Sequence, residues 1–285
     1  MSELDLRTAA ASAAPVRRRR ASVGEMLAGL FVLFLLVATV APGAISWIDP
    51  NAISAREAFQ PPSLAHWFGT DESGRDIYSR VVAGTSTSLL IGVSATAIGL
   101  VLGLGLGVLA GFGGRALDFT VNRVIEVLFA FPGLLLALLV IVIAGPGPVT
   151  ATIAVGLSTA PGYGRIVRGQ LVSIRSSGYV ESARVLGHSP ARVLTRHILP
   201  NALAPLLVLA TLGIGQAVVW AAALSYLGLG AQPPAAEWGA MLSAGRTYIG
   251  TAWWLTVFPG LMIVLTTIAT TVLGRSLTRR TGGTR

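Results

Sequence analysis

The sequence contains no cysteine, so a disulfide framework, a thiolate metal site and a cysteine nucleophile are all excluded. It contains no lysine either: each of its 21 basic residues is arginine. The phosphate-binding G-x-x-x-x-G-K-[ST] loop needs a lysine to reach the β- and γ-phosphates, so that element cannot be present. Schiff-base chemistry is excluded with it. Charge of any sign is scarce. Only 12% of the 285 residues are charged and 53% are apolar, against about 25% charged in soluble domains. That balance points to lipid as the solvent. The net charge of +9 does not make nucleic acid an expected partner, because the arginines flank hydrophobic runs, where membrane-topology signals sit.

A helix needs about 20 mostly apolar residues to cross a bilayer core. Six runs qualify: Met26–Trp47, Ser86–Gly111, Phe119–Ala144, Val149–Ile166, Ala202–Tyr226 and Trp253–Gly274, the fourth interrupted by Pro161 and Gly162. The connections sort by charge. Arg7 and Arg17–Arg20, then Arg115, then Arg165, Arg168, Arg175, Arg184, Arg192 and Arg196, then Arg275, Arg279, Arg280 and Arg285 all fall on one side if the six runs alternate. Residues 48–85 on the other side carry Asp49, Glu57, Asp71, Glu72 and Asp76 against Arg56, Arg75 and Arg80. The excess of arginine places both termini in the cytoplasm. The expected layout is a cytoplasmic tail over 1–25, a first transmembrane helix over 26–47 and an extracytoplasmic loop over 48–85. A core of five further helices over 86–274 and a cytoplasmic tail over 275–285 complete it. The first run is longer than the 7–15 apolar residues of a cleaved signal peptide and is expected to stay.

Two local patterns stand out. Ala95, Gly99, Gly103, Gly107 and Gly111 recur every four residues, which lines small residues along one helix face and lets two backbones approach closely in lipid. The face reads as a packing surface, and its smoothness would also suit sliding. Between the fourth and fifth runs, Tyr179–Leu186 reads as a short amphipathic helix that Gly187 ends as a C-terminal cap. Ser189 and Pro190 then restart a helix as N-cap and first-turn residue, running through Arg192 and Arg196 to Pro200 at the entry to the fifth span. A cytoplasmic helix–turn–helix of this kind suits a groove in another protein; resting on lipid headgroups is the alternative.

Glu181-Ser182-Ala183, Gly187 and Leu199-Pro200 together resemble the EAA signature of ABC importer permeases. Ser182 stands where alanine is usual, and His197 in a slot often held by isoleucine. Gly69-Thr70-Asp71 with Gly74-Arg75-Asp76 is similar to the outer-loop signature of the "C" permease in dipeptide, oligopeptide and nickel importers. So are Asp118, Arg123, Glu126 and Phe131-Pro132, Leu224–Gly230, Gln232–Pro234, Glu237–Gly239 and Phe258–Gly260. Arg275 departs from that pattern, which has an acidic residue there.

The resemblance implies an all-α integral membrane protein with the type I ABC importer permease fold, in the bacterial cytoplasmic (inner) membrane. It implies a heterodimer with a homologous permease, two ATP-binding subunits that hold ATP and magnesium, and an extracytoplasmic binding protein delivering peptide. The segment over about 178–199 would form the coupling helices, with Tyr179, Glu181, Ser182, Ala183, Arg184, Gly187 and His188 as contacts to the ATPase. No cofactor, metal site or catalytic residue is expected in this chain. A nickel or haem importer of the same family is the alternative cargo reading. A proton-coupled secondary transporter would need ionisable groups within the membrane, and the one carboxylate inside a run is Glu126, near a cytoplasmic end beside Arg123. A membrane enzyme is disfavoured because His66 and His188 fall on opposite sides and no nucleophile constellation accompanies them.

Overall fold

The computed structural model describes residues 22–281. Arg7, Arg17–Arg20 and Arg285 lie outside the described residues, as does most of the expected N-terminal tail. The chain is helical: α1 (Val23–Val40), α2 (Ile77–Phe112), α3 (Gly114–Phe129), α4 (Gly133–Ala144), α5 (Pro148–Arg175), α6 (Gly178–Val185), α7 (Pro190–Arg192), a π-helical stretch (Val193–Ile198), α8 (Leu199–Tyr226), α9 (Trp238–Gly245) and α10 (Trp254–Thr281). Among the described residues the only β pairing is an isolated bridge between Thr70 and Asp76.

By length and composition, four helices can cross a membrane: Val23–Val40, Ile77–Phe112, Pro205–Tyr226 and Trp254–Arg279. The pair α3 and α4 makes a fifth if it is one span, bent by 91°. The third run is therefore not one straight helix. Pro132 sits at the break with extended backbone, and a proline both lacks the helical N–H and pushes its predecessor out of the α region. The fourth run is a helix of 28 residues that continues through Pro161, ending at Arg175 rather than Ile166. Its glycines, hydroxyls and arginines hold its hydropathy below that of the others.

Two expected boundaries move. Helix α1 opens with a capping box, in which Ser22 accepts from the Glu25 amide and Glu25 accepts from the Ser22 amide. It stops at Val40, just before Pro42, rather than reaching Trp47. Helix α2 begins at Ile77, inside the segment read as loop, and runs for 36 residues, about 54 Å. That exceeds a hydrocarbon core of about 30 Å. Its first turns looked too polar for a span, yet Ser79, Arg80, Thr85 and Ser88 are buried against protein.

Helix α2 packs most extensively on α5, and α10 on α8, while α1 leans on α10 and α2. Four apolar clusters follow among the described residues: three larger ones, and a small one that packs Val121 and Ile125 of α3 on Ala110 of α2. One, around Val81, Trp238, Trp254 and Met262, joins the outer ends of α2, α9 and α10. A second, around Ala95, Ala137, Val155 and Leu224, holds α4 against α5 and α8. The third joins Val167, Leu171 and Ile174 of α5 to Val180 and Ala183 of α6 and to Val193 and Ile198.

Candidate functional site

Residues 69–76 form a tight turn stabilised by its own carboxylates. Asp71 accepts from the amides of Ser73 (2.8 Å) and Arg75 (2.9 Å) and from the Arg75 Nε (2.6 Å). Asp76 is the N-cap of α2, accepting from the Ser79 amide and hydroxyl at 2.7 Å each, and its other oxygen lies 2.9 Å from His66 Nδ1. The Thr70 carbonyl accepts from Trp254 Nε1 (3.0 Å). Gly69 and Gly74 both have positive φ, and a Cβ at Gly74 would fall on the Ser54 carbonyl. Gly69, Thr70, Asp71, Gly74, Arg75 and Asp76 are thus brought together as a clasp between the loop, α2 and α10.

The clasp continues through residues that sequence reasoning did not connect. Arg80 donates to the carbonyls of Pro234 (2.8 Å) and Pro50 (3.3 Å). Glu237, buried, caps α9 by accepting from Gly239 N (2.9 Å) and Ala240 N (2.8 Å), and it accepts from Ser88 Oγ (3.3 Å). Trp238 Nε1 donates to the Val81 carbonyl (3.0 Å). Glu237 is about 150 residues from Ser88 in sequence, a separation that no local spacing rule bridges.

The small-residue face of α2 lies on α5. A Cβ at Gly103 would stand 2.5 Å from the Tyr163 Cβ, 2.9 Å from Gly164 N and 3.0 Å from the Ala160 carbonyl. Gly107 meets Val167, Gly111 meets Leu171 at ordinary contact distance, and Gly156 of α5 returns the approach against Ile98 and the Ala95 carbonyl. Small residues on both helices let the backbones touch.

A chamber of about 410 Å³ opens where the α3–α4 bend, the Pro161–Tyr163 stretch of α5 and residues 209–220 of α8 meet. Phe129, Phe131 and Trp220 supply its aromatic walls, and Ser158, Thr159, Tyr163 and Gln216 its polar groups. No charged side chain lines it. Arg165 lies outside it, its guanidinium 4.2 Å from the Phe129 ring centroid. The size suits a small organic guest. Below the chamber, Arg168 of α5 makes a bidentate pair with Asp118 of α3 (2.6 and 2.8 Å). Sequence reasoning named both residues but could not pair them across the intervening helices.

At the far end of α5 the chain folds into a helical hairpin. Helix α6 ends in a Schellman arrangement: the Gly187 amide donates to the Arg184 carbonyl (2.9 Å) and the His188 amide to the Ala183 carbonyl (3.2 Å), with Gly187 at φ +77°. Ser189 then accepts from the Arg192 amide (3.4 Å) as the next N-cap. The second arm does not break at Pro200; it passes through the π-helical stretch straight into α8. Helix α6 has two faces. Val180 and Ala183 point into the apolar cluster with α5. Tyr179, Ser182, Val185 and Leu186 face away, with Val185 84% and Leu186 76% exposed. Glu181, Arg184 and Gly187 are also exposed and His188 is half-buried. Ala183 therefore touches its own chain rather than offering a surface to another.

Residues 103–283 match the family described as binding-protein-dependent transport system inner membrane component. The dipeptide transport system permease protein DppC of Alkalihalophilus pseudofirmus is 41% identical over 255 residues, covering 88% of this chain and 83% of that protein. The glutathione transport system permease protein GsiD of Pectobacterium atrosepticum is 41% identical over 251 residues, covering 88% and 83%. The fold is shared with a solved inward-facing form of the MetNI methionine ABC transporter, at a TM-score of 0.58 and 24% identity, over 72% of this chain and 97% of that one. The helical bundle, its clasp and its hairpin thus belong to a multi-pass permease component of an ATP-driven importer in the inner membrane: the chain is a member of the binding-protein-dependent transport system inner membrane component family.

Proposed function

We propose that this permease carries di- or oligopeptides, that it forms half of the path with a homologous second permease, and that the hairpin over 178–199 is pushed by one of two ATP-binding subunits. The named relatives carry dipeptide or glutathione, which supports a peptide-like cargo. The reading keeps six membrane crossings, with α5 as the fourth and the bent α3–α4 pair as the third, and both termini in the cytoplasm. ATP and magnesium are held by the partner subunits, and an extracytoplasmic binding protein delivers the cargo above the clasp. The chamber below it is this chain's wall of the path, and its lack of charged groups suits a cargo whose termini have been handed over already paired or hydrated.

The observation that carries this reading is the two-faced α6. Its inner face is fixed into the chain's own cluster, while Val185 and Leu186 are left in the open. Burying such side chains in a partner's groove contributes about 1.5–3 kcal/mol each. Nucleotide-driven closure of the partner would then select the outward-open state only through its differential affinity for the two positions of the hairpin. Tyr179, Glu181, Ser182, Arg184 and His188 surround those two apolar anchors as contacts, and Ala183 acts from beneath by holding the helix down.

The test is Gly187→Leu in the complete transporter. Nothing lies within 4 Å of a Cβ at this position. The left-handed backbone there costs a residue with a Cβ about 1–2 kcal/mol. Uptake of a radiolabelled dipeptide into proteoliposomes should be lost while insertion and assembly of the bundle persist. Wild-type uptake by the variant would place the coupling element elsewhere. Wild-type protein that accumulates nickel or haem in place of dipeptide would refute the cargo reading alone.

A further inference from the structure

Beside the hairpin, but not on its outward face, lies a second cavity of about 290 Å³ lined by Phe112, Arg175, Arg184, His188, Val193 and Ile198. Two of the six are arginine and a third is histidine, and none is acidic. Phe112 is the last residue of α2, and Arg175 Nη1 donates to the carbonyl of Gly111 (3.2 Å), so the cavity sits level with the end of that long apolar helix. An apolar helix that crosses a bilayer ends near the phosphate layer, so this end of α2 would bring the cavity there. The apolar floor of Val193 and Ile198 is buried and belongs to the cluster that mounts α6.

We infer that this cavity is a binding site for a phosphate-class anion, with Arg175 and Arg184 as its principal ligands and His188 at its rim. Placement and donor geometry both suit a phosphate. Val185 and Leu186, the apolar anchors offered to a partner, stand in the open, whereas Arg184 and His188, at the edge of that docking face, also line the cavity with Phe112 at the end of α2. Arginine guanidinium groups meet phosphate oxygens through paired N–H donors, and two of them approaching from separate elements form a clamp. One contributor lies on α5 and the other on α6, so a bound anion bridges the bundle to its hairpin. The chemistry is shared by a phospholipid headgroup and by a free phosphate. An anionic lipid has the advantage that the negative leaflet concentrates it beside the arginines.

Arginine-specific labelling with phenylglyoxal, read by peptide mass spectrometry on the complete transporter in nanodiscs, tests the site residue by residue. In phosphatidylcholine alone, Arg175 should react freely, and Arg184 at the rate its contact with the ATP-binding subunit allows; these rates are the reference for each residue. An anion present at ten times its Kd leaves about one-eleventh of the sites open, so both should be labelled roughly tenfold more slowly, with Arg192, outside the cavity, unchanged. Protection by phosphatidylglycerol but not by inorganic phosphate assigns the site to lipid headgroups, and protection by inorganic phosphate in the neutral disc assigns it to a soluble anion. The variant Arg184→Gln should abolish the protection of Arg175 in either arm. Protection of Arg175 in the neutral disc with no phosphate present, appearing only when the ATP-binding subunits assemble, would show an acidic partner side chain in the cavity and overturn the proposal. Equal labelling of Arg175, Arg184 and Arg192 under all conditions would also overturn it.

Discussion

Two glycines on the same helix, Gly103 and Gly105, provide a matched test of how α2 is held. Replacing either by alanine removes the backbone-entropy cost of a helical glycine, a gain of about 0.5–1 kcal/mol. At Gly105 nothing lies within 4 Å of the new methyl group, so that gain is expressed in full. At Gly103 the methyl would stand 2.5 Å from the Tyr163 Cβ, 2.9 Å from Gly164 N and 3.0 Å from the Ala160 carbonyl. Two of these are backbone atoms of α5, and no side-chain rotation moves them. Relief requires the two helices to part by on the order of 1 Å, toward the ~3.5–4 Å at which carbon atoms attract best.

Parting is resisted along the whole contact, because Gly99, Gly107 and Gly156 make similarly close approaches. Overpacking of this kind costs about 1–3 kcal/mol. The propensity gain cancels between the two variants, so their difference isolates the packing cost. At about 2–4 °C per kcal/mol for a chain of this size, Gly103→Ala should melt roughly 2–12 °C below Gly105→Ala. Size-exclusion of heated, fluorescently tagged transporter in detergent measures both midpoints. If Gly103→Ala melts at or above Gly105→Ala, the close approach of α2 to α5 is not how the bundle is held.

Two further outcomes follow from the polar contacts. Glu237→Ala strips two buried amides and Ser88 of their acceptor and should lower stability by about 1–3 kcal/mol, with Glu237→Gln losing less; a wild-type melting midpoint for Glu237→Ala would show that α9 needs no cap. Asp118 and Arg168 are each about one-third exposed, so a double-mutant cycle with Asp118→Asn and Arg168→Gln should give a coupling of only about 0.2–1 kcal/mol despite the bidentate geometry. That coupling should shrink between roughly 50 and 500 mM salt, and a salt-independent value would mean the pair is shielded from solvent.

What the sequence made legible was whatever a local rule decides. Apolar runs located the long helices, the four-residue repeat located the face of α2 that meets α5, and Gly187 with Ser189 marked the hairpin turn. Each depends on neighbours within one or two helical turns. The start of α2 was misplaced for the complementary reason: Arg80 looks like a loop residue until Pro234, 154 positions away, provides its partner. The 91° break between α3 and α4 follows from Pro132, yet its size depends on the packing of α4 against α5 and α8. The chamber was invisible in the sequence, because its walls come from three separated segments with ordinary membrane composition.

The placement of the hairpin bears on how a push at α6 would spread. Val180 and Ala183 share one cluster with Val167, Leu171 and Ile174, so a displaced α6 must either leave that cluster or take the end of α5 with it. Leaving exposes several aliphatic side chains at about 1.5–3 kcal/mol each when fully uncovered, whereas moving α5 keeps them buried. The second arm runs without a break into α8, so the same push reaches both helices. Those two helices carry Tyr163 and Gln216, two of the polar groups of the chamber, while the third wall is the α3–α4 bend. Between α5 and α3 runs the part-exposed Asp118–Arg168 pair, a weak polar tie of the kind that can break and reform. Between α5 and α2 the backbones interlock. A force at the hairpin would therefore carry α2, α5 and α8 together, with α3 drawn along through its buried Val121 and Ile125 against Ala110 of α2, and would change the shape of the chamber beyond the bend at Pro132.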